Sequence, residues 1–473
     1  DGGPPAARES AADREPARPA GRPQEQAAAP PRPVPSRTLR SVAVPLAAAA
    51  VVLSTVLFGL TTSARPDRHA AAFPAAPAPA VPKPAEQTWS QFPEPVPAEF
   101  FGVTTASSTG TMPSFAVGSV RFWDSRTRWA NLQPRPGEYD WRILDRLVLG
   151  ATEAGLPAVL TFGGTPAWAS PTGARSPYND ESRASPPDDL AVWDAFVGAV
   201  AGRYRGRIGA YEAWVFGNDP RYYAGDVRTL VDMTRRAYRI IKRLDPAATV
   251  VCPSMGRLWD PAAVRTMEEF ARLGGYRHCD AAGVKLHQVR ASDPPETVLR
   301  LVERVDRVLH AMNVHPPLWS TGTAYEIALE QPLDDATAAD FAVRLYLAGL
   351  YARYHRLYFY NWGGTKIPIV LQPEGESPTR AALYVEELQR WLGGARIAGC
   401  GTGVRVRLPD AVWRCRFVDR AGSGFEIRWS SGPVARMTAD ADYVVSSLDG
   451  TSRRVARGDV LPVGGSPLLL RNA

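Results

Sequence analysis

The chain has few cysteines, histidines and lysines. Its 473 residues include four cysteines, six histidines and only four lysines, at Lys83, Lys242, Lys285 and Lys366. No cysteine or histidine spacing resembles a metal site. The net charge of +7 comes from arginines scattered among acids, without a basic stripe or interleaved aromatic residues. These absences argue against nucleic-acid binding, and we expect no metal and no cofactor.

The N-terminal part of the sequence predicts a membrane anchor. Residues 1–40 have almost no large apolar side chains, so we expect a disordered cytoplasmic tail. Residues 41–64 contain the uncharged run Val42–Leu60, long enough to span ~30 Å of hydrocarbon. We interpret 41–64 as a transmembrane signal-anchor, with a signal peptide cleaved near Ala64 as the alternative. Residues 65–97 are rich in proline and alanine and predict a linker.

Both interpretations of the apolar run predict that the rest of the chain lies outside the cytoplasm. We therefore expect a single-pass protein of the cell membrane, or a secreted protein if the segment is cleaved. The four cysteines all follow this segment, and an extracytoplasmic location permits disulfides. We expect each cysteine to pair with its neighbour in sequence, Cys252 with Cys279 and Cys400 with Cys415. Free buried thiols are the alternative.

From residue 99 onward, short apolar runs alternate with amphipathic stretches, the pattern of repeated strand and helix units. No glycine-rich phosphate loop follows the first strand, which disfavours a dinucleotide-binding sheet. Strands are predicted at Phe100–Thr104, Ser119–Phe122, Ala158–Phe162, Ala210–Phe216, Thr249–Pro253, Ala281–His287, Leu318–Thr321 and Leu357–Asn361. Helices are predicted at Trp141–Ala154, Leu190–Tyr204, Val227–Leu244, Pro295–Met312 and Ala336–Arg353. Residues 98–394 thus predict an α/β fold, a TIM (β/α)8 barrel.

After residue 394 the pattern changes to short alternating runs such as VRVRL, AVWRCRFVD and FEIRWSS, divided by Gly, Asp and Ser. They predict a small C-terminal β-sandwich over residues 395–473. We expect a structural role for this domain, with direct glycan binding as the alternative.

The barrel region carries a series of motifs in a fixed order. They begin with Arg121, Trp129, GEYDW (137–141) and PAWA (166–169), and continue through YEAWVFGN (211–218), DAAGVKLH (280–287), PLWSTG (317–322) and LYFYNW (357–362). Together they resemble clan-A retaining glycoside hydrolases, most closely family 39 β-xylosidases and related bacterial exopolysaccharide glycosidases. The resemblance covers most of residues 99–473 and implies a barrel shaped to act on glycosidic bonds.

The resemblance also implies where two catalytic glutamates should be. A retaining glycosidase needs an acid/base and a nucleophile ~5–5.5 Å apart. In the family the acid/base ends strand four in W-N-E-P-N, and the nucleophile ends strand seven in W-x-T-E. Here Phe216 and Gly322 occupy these positions. The flanking residues that keep the register are Trp214, Asn218, Trp319 and Thr321. Since neither replacement can transfer a proton or attack carbon, the resemblance implies a pseudo-glycosidase.

Other carboxylates are candidates to replace the two glutamates. Glu212 shares strand parity with Phe216, but an extended strand would place it ~13 Å deeper in the barrel. Asp219 and Glu326 follow strand ends and could form a rebuilt pair, which keeps an active O-glycoside hydrolase open. Alternatively, they are loop carboxylates that face water.

Several residues near the C-terminal strand ends are candidates for sugar binding, namely Arg121, Trp168, Trp214, Asn218, His287, Tyr325 and Trp362. Some of these residues could instead have a purely structural role. Trp214 and Trp362 could fill the barrel, Arg121 could pair with a buried acid, and His287 could close a polar network. Phe216 could itself plug the pocket.

The sequence thus predicts a membrane-anchored, extracytoplasmic pseudo-glycosidase that binds or scaffolds a cell-envelope or extracellular polysaccharide. A protein-interaction subunit of an envelope complex, without sugar binding, is a further alternative.

Overall fold

The computed structural model describes residues 95–323, 330–365 and 367–473. The predicted cytoplasmic tail, the predicted membrane segment and nearly all of the predicted linker lie outside these residues, as do Tyr325 and Glu326. Within the described ranges, no helix combines the length and apolar character needed to cross a bilayer. Membrane anchoring therefore stays a prediction.

Eight parallel strands form the predicted barrel. They are β1 Phe101–Thr105, β2 Ser119–Phe122, β3 Ala158–Thr161, β4 Ala210–Glu212, β5 Thr249–Val251, β6 Ala282–Val284, β7 Leu318–Ser320 and β8 Arg356–Trp362. Their order in the sheet is β5-β4-β3-β2-β1-β8-β7-β6. Each strand thus lies beside its neighbour in sequence, as in a TIM barrel.

Helices follow the strands and cover the outside of the barrel. They are α1 Trp129–Leu132, α2 Arg142–Glu153, α3 Leu190–Arg203, α4 Val227–Leu244, α5 Pro261–Arg272, α6 Leu299–Ala311, α7 Asp335–Tyr351 and α8 Arg380–Leu392. The sequence analysis did not specify α5 or α8. The Asp189 side chain accepts a hydrogen bond from the Ala191 amide and thereby caps the N-terminus of α3.

The barrel closes between β5 and β6. Here the ladder is reduced to the isolated bridges Val251–Ala281 and Met255–Val284. The disulfide Cys252–Cys279 joins the end of β5 to the segment before β6. The pairing predicted for these two cysteines is therefore confirmed, and the bond cross-links the two strands whose ladder is reduced to isolated bridges.

The barrel lumen is filled in layers. Near the N-terminal ends of the strands lies an apolar layer of Val159, Ala210, Val251, Ala281, Trp319 and Tyr358, each at most 8% exposed. The next inward-facing positions are polar and include Thr161, Glu212 and Thr321. This layering follows from strand periodicity, since alternate residues face the lumen.

The C-terminal part of the chain is rich in sheet, as predicted. Its strands are β9 Arg396–Thr402, β10 Val412–Val418, β11 Gly424–Ser430, β12 Ala435–Thr438, β13 Tyr443–Ser447, β14 Ser452–Val455, β15 Val460–Val463 and β16 Leu468–Asn472. Six form one sheet in the order β14-β13-β16-β11-β10-β9, and β12 pairs with β15. The disulfide Cys400–Cys415 links β9 to β10, which confirms the second predicted pairing.

The larger C-terminal sheet packs directly on the barrel. Glu296, just before α6, accepts hydrogen bonds from Arg344 Nε at 2.8 Å and from Trp429 Nε1 of β11 at 2.7 Å. All three side chains are buried. The Trp413 ring of β10 meets Tyr351 of α7 edge-on, with centroids 5.3 Å apart. The barrel and this sheet therefore belong to one compact unit.

Candidate functional site

Lys285 lies at the centre of the C-terminal end of the barrel. Its Nζ donates to the Thr321 carbonyl at 2.9 Å, to Thr321 Oγ1 at 2.7 Å and to Glu212 Oε1 at 3.4 Å. An ammonium has three protons to donate, so these three acceptors satisfy it completely. The side chain is 3% exposed, and β4, β6 and β7 are thereby joined through one cation.

Glu212 connects this lysine to Arg121. The second carboxylate oxygen, Oε2, accepts from Arg121 Nε at 2.7 Å and from Thr161 Oγ1 at 2.7 Å. Ser254 also donates to the carboxylate. Both Glu212 and Arg121 are at most 2% exposed. Arg121, a predicted sugar ligand, therefore pairs with a buried acid, the structural alternative considered for it.

The surroundings of Lys285 lower its pKa to about 7. Burial is the largest cause, and the Arg121 guanidinium acts in the same direction. Glu212 opposes the shift through its charge and its hydrogen bond. The barrel centre thus contains two cationic side chains and one carboxylate that contacts both.

Phe216 and Gly322 lie on either side of Lys285. The Phe216 ring centroid is 5.0 Å from Nζ. A Cβ atom on Gly322 would lie 3.3 Å from Lys285 Cδ and 3.8 Å from Nζ. The lysine therefore occupies the space into which a side chain at position 322 would extend.

The distance expected between Glu212 and Phe216 is wrong. Strand β4 ends at Glu212, four residues earlier than predicted, and the chain then turns. Backbone hydrogen bonds hold the turn, with Ser254 N bonded to Trp214 O and Gly217 N bonded to Ser254 O. Because the segment is not extended, Glu212 and Phe216 both contact the same lysine.

A polar cluster lies beside Phe216. We call Asp124, Tyr178, Tyr222 and Tyr360 the mouth cluster; each is partly exposed, Tyr360 lies in β8, and the other three lie in the segments after β2, β3 and β4. Tyr360 hydrogen-bonds Asp124 through its hydroxyl group. The rings of Tyr178 and Tyr222 are 5.8 Å apart, and the Tyr222 ring is 4.6 Å from that of Phe216. The sequence analysis missed all four residues.

Burial shifts the pKa values of the mouth cluster towards the uncharged forms of its side chains. Burial raises the pKa of Asp124, although Tyr360 and Arg128 oppose the shift. Burial also raises the pKa of the hydroxyls of Tyr178 and Tyr222. The phenols therefore stay protonated donors, and Asp124 holds its proton to a higher pH than an exposed aspartate.

Two predicted sugar ligands have other contacts. Trp214 is fully buried, with its ring 6.0 Å from Trp193 of α3, so it packs outside the barrel lumen. The expectation that it faces inward fails because β4 ends before it. Asn218 donates to the Gly256 and Ala263 carbonyls and accepts from the Gly256 amide. These bonds use the side chain to brace the loop after β5.

The remaining described candidates differ in exposure. Trp362 is 1% exposed and donates to Gln372 Oε1 at 2.9 Å, so it belongs to the core. His287 is 4% exposed, and its Nδ1 lies 2.8 Å from the Gln288 carbonyl. Trp168 is half-buried and donates to the Gln133 carbonyl at 3.0 Å. Of these three, Trp168 keeps the most accessible ring.

Asp219 does not face water, contrary to one expectation for it. It is fully buried, and its carboxylate accepts from Arg221 Nη2 at 3.1 Å, with Arg257 Nη1 3.7 Å away. Its role in a rebuilt catalytic pair is therefore disfavoured, because both arginines stabilise the anion in place. Glu326, its suggested partner, lies outside the described residues.

A cavity of about 800 Å³ lies at the opposite end of the barrel. It is bordered by α6, the residues before β7 and β8, and Trp413 of the C-terminal sheet. Active sites of β/α barrels form at the C-terminal strand ends, so we do not assign the reaction centre there. Among the described side chains, no cluster of three or more His, Cys, Asp or Glu residues is arranged to hold a metal ion.

Comparison with known proteins identifies the fold. No protein-family model matches the chain, and no curated protein matches it. A family 39 glycoside hydrolase from Bacteroides cellulosilyticus matches with a TM-score of 0.58 at 16% identity, covering 76% of each chain. A family 39 β-xylosidase from Caulobacter crescentus matches with a TM-score of 0.57 at 14% identity, covering 80% of this chain and 97% of the other. A family 30 endoxylanase from Clostridium papyrosolvens gives 0.55 at 11% identity, over 80% and 98%. These similarities show a fold like that of family 39 enzymes.

The lowered pKa of Lys285 predicts a pH-dependent stability. Lys285 titrates at about 7 in the folded chain, against 10.5 in its unperturbed state. The unfolded chain therefore binds more protons between these values, and stability should rise with pH across that window. Relative to Lys285→Met, the wild type should gain up to ~1.4 kcal/mol of unfolding free energy per pH unit. Urea unfolding from pH 7 to pH 9.5 measures this gain.

Lys242→Met, on the outer helix α4, is the matched control for loss of one lysine. Parallel pH curves for the wild type and Lys285→Met would contradict the prediction.

Proposed function

We propose that this chain is a pseudo-glycosidase that binds a polysaccharide at the mouth of its barrel without hydrolysing it. The observation that carries the proposal is the Lys285 ammonium between Phe216 and Gly322. Retaining hydrolysis needs two carboxyl groups ~5–5.5 Å apart at this level of the barrel. Lys285 is not one of these two carboxyl groups, and its nitrogen is already held by Thr321 and Glu212. The phenyl ring and the glycine supply neither an acid nor a nucleophile.

The nearest carboxylate to this centre is already occupied. Glu212 accepts hydrogen bonds from Arg121, Thr161 and Lys285 and is fully buried. Its two oxygens are buried and engaged by these donors, so they do not reach a substrate at the mouth of the barrel. Glu212 therefore stabilises the barrel instead of replacing the missing pair.

The mouth cluster supports sugar binding. Tyr178, Tyr222 and Tyr360 offer phenol donors and apolar ring surface, and Asp124 offers a further polar group. Ring faces suit the CH surfaces of sugars, and hydroxyl donors suit their oxygens. The fold shared with family 39 hydrolases favours the same class of ligand, although fold alone does not fix function.

We further propose an extracytoplasmic location, tethered by residues 41–64. Two features support it: the long uncharged run in the sequence and the two disulfides, which persist in oxidising compartments. The ligand is then a polysaccharide of the cell envelope or the extracellular matrix. A protein-interaction role without sugar binding remains the competing proposal.

Turnover tests the loss of chemistry. The wild type should not hydrolyse aryl xylosides or glucosides above the blank. The double change Phe216→Glu with Gly322→Glu should also stay inactive, because both new carboxylates would flank the Lys285 ammonium, which lowers their pKa. Adding Lys285→Ala should give measurable turnover, since the cation is then absent.

Circular dichroism on each variant separates lost folding from lost activity. Clear wild-type turnover would overturn the pseudoenzyme proposal.

Calorimetry with xylo-, gluco- and galacto-oligosaccharides tests binding. Tyr222→Ala should weaken any binding at the mouth by ~10-fold, about 1.4 kcal/mol. Tyr384→Ala, a half-buried tyrosine on the outer helix α8, is the matched control and should bind like the wild type. Absence of binding to any glycan, together with recovery of envelope proteins on the chain, would favour the interaction role.

An active hydrolase is a second candidate because of Asp124. Its side chain is 19% exposed, and its raised pKa is that of a possible general acid. If the wild type hydrolyses any glycoside, Asp124→Asn should reduce kcat at least 100-fold, the usual contribution of a general acid. Asp180→Asn, another loop aspartate near Arg128, is the control. An unaffected kcat in Asp124→Asn would remove this candidate.

A further inference from the structure

Most of the net positive charge lies in the C-terminal part of the chain. Residues 395–473 contain twelve arginines, no lysine and seven acids, a net charge of +5 out of +7 for the whole chain. The remaining 394 residues are thus nearly neutral. The arginines do not form a continuous basic run, because they are interleaved with apolar strand residues.

Four of these arginines line one cleft of about 370 Å³. Arg405 and Arg407 come from the turn after β9, and Arg414 and Arg428 come from β10 and β11. The opposite wall is formed by β12 and the residues after it, including Asp440. The cleft therefore lies between the two C-terminal sheets and is separate from the barrel mouth.

Strand register explains why the arginines gather there. Arg414 and Arg428 are direct cross-strand partners, a like-charge pair that costs stability unless anions are close. Trp413 and Trp429, one residue along each strand, contact the barrel instead. Because side chains alternate along a strand, the two arginines face away from the barrel and into the cleft.

The acids nearby are fewer than the arginines of the cleft. Glu426 pairs with Arg428 and lies 3.8 Å from Arg414 Nε. Asp440 lies 3.3 Å from Arg428 Nη2, but its side chain is 68% exposed. Arg428 is 2% exposed, and its Nε has no hydrogen-bond partner among the described residues. Burial lowers the pKa of Arg414, and Arg416 and Arg428 act in the same direction, whereas Glu426 and Asp440 oppose the shift.

The cleft is held in a fixed shape. The Cys400–Cys415 disulfide cross-links β9 to β10 beside Arg414. A preformed site loses less conformational entropy on binding than a flexible one.

We propose that this arginine cleft binds the carboxylate groups of an acidic polysaccharide, such as a chain of uronate sugars. Planar guanidinium groups bind carboxylates through paired hydrogen bonds, and Arg407 and Arg414 present accessible guanidinium groups on the lining of the cleft. The volume matches the lower range of small-ligand sites, ~300–1,000 Å³. No aromatic side chain lines the cleft, which disfavours single-stranded nucleic acid. The cleft stands independently of the function proposed for the barrel mouth.

The test is calorimetry on the full chain with hexagalacturonate, against a neutral galacto-hexaose of equal length. The acidic oligomer should bind and the neutral one should not bind at the cleft. Arg407→Asn with Arg414→Gln should weaken binding at least 10-fold. Asparagine suits position 407, whose φ is 59°. Arg453→Gln with Arg454→Gln removes the same charge from exposed positions on β14 and is the matched control.

Retention of affinity in the control, with loss in the cleft variant, supports the proposal. Equal loss in both variants would show general charge attraction and overturn it, as would absence of binding to hexagalacturonate. Tighter binding of inorganic phosphate or of anionic lipid vesicles would also overturn it. Tyr222→Ala should leave hexagalacturonate binding at the cleft unchanged, so a failure here is distinguishable from a failure at the barrel mouth.

Discussion

The contact between Lys285 and Glu212 organises the centre of the barrel. Glu212 lies between two cations, and Lys285 uses all three of its protons on acceptors from β4 and β7. Removing Glu212 would leave two buried basic side chains without the carboxylate they share, which costs far more than an exposed pair contributes. The same lysine fills the space beside Gly322. One ion pair therefore both holds the strands together and occupies the position where catalysis would otherwise occur.

The barrel was predictable because its signal is distributed over the chain. Each strand is a short apolar run and each major helix has an amphipathic face, so errors at single boundaries leave the fold unchanged. The largest boundary error was at β4, predicted to reach Phe216 but ending at Glu212. The apolar residues after Glu212 have the sequence pattern of a strand, but their backbone groups form hydrogen bonds with the loop after β5. Periodicity does not detect such a turn.

The site was predictable only in part. The motif register located Phe216 and Gly322, and the structure places both beside one lysine. The sequence gave no indication that Lys285 would be that lysine, because the contact joins side chains on three strands. Likewise, Trp214 and Asn218 match motif positions, yet their contacts are with a helix and a loop. Motif matching reports position along the chain, and ligand access depends on which way each side chain turns.

The contact between β5 and β6 includes a disulfide and therefore depends on the redox conditions of the compartment that contains the chain. Backbone hydrogen bonds, two isolated bridges and the Cys252–Cys279 disulfide connect these strands, so one of the links that close the cylinder depends on oxidation. In a reducing cytosol the chain would lack this cross-link between β5 and β6. Production in a heterologous host should therefore use export to the periplasm or secretion, because the Cys252–Cys279 disulfide forms in those compartments.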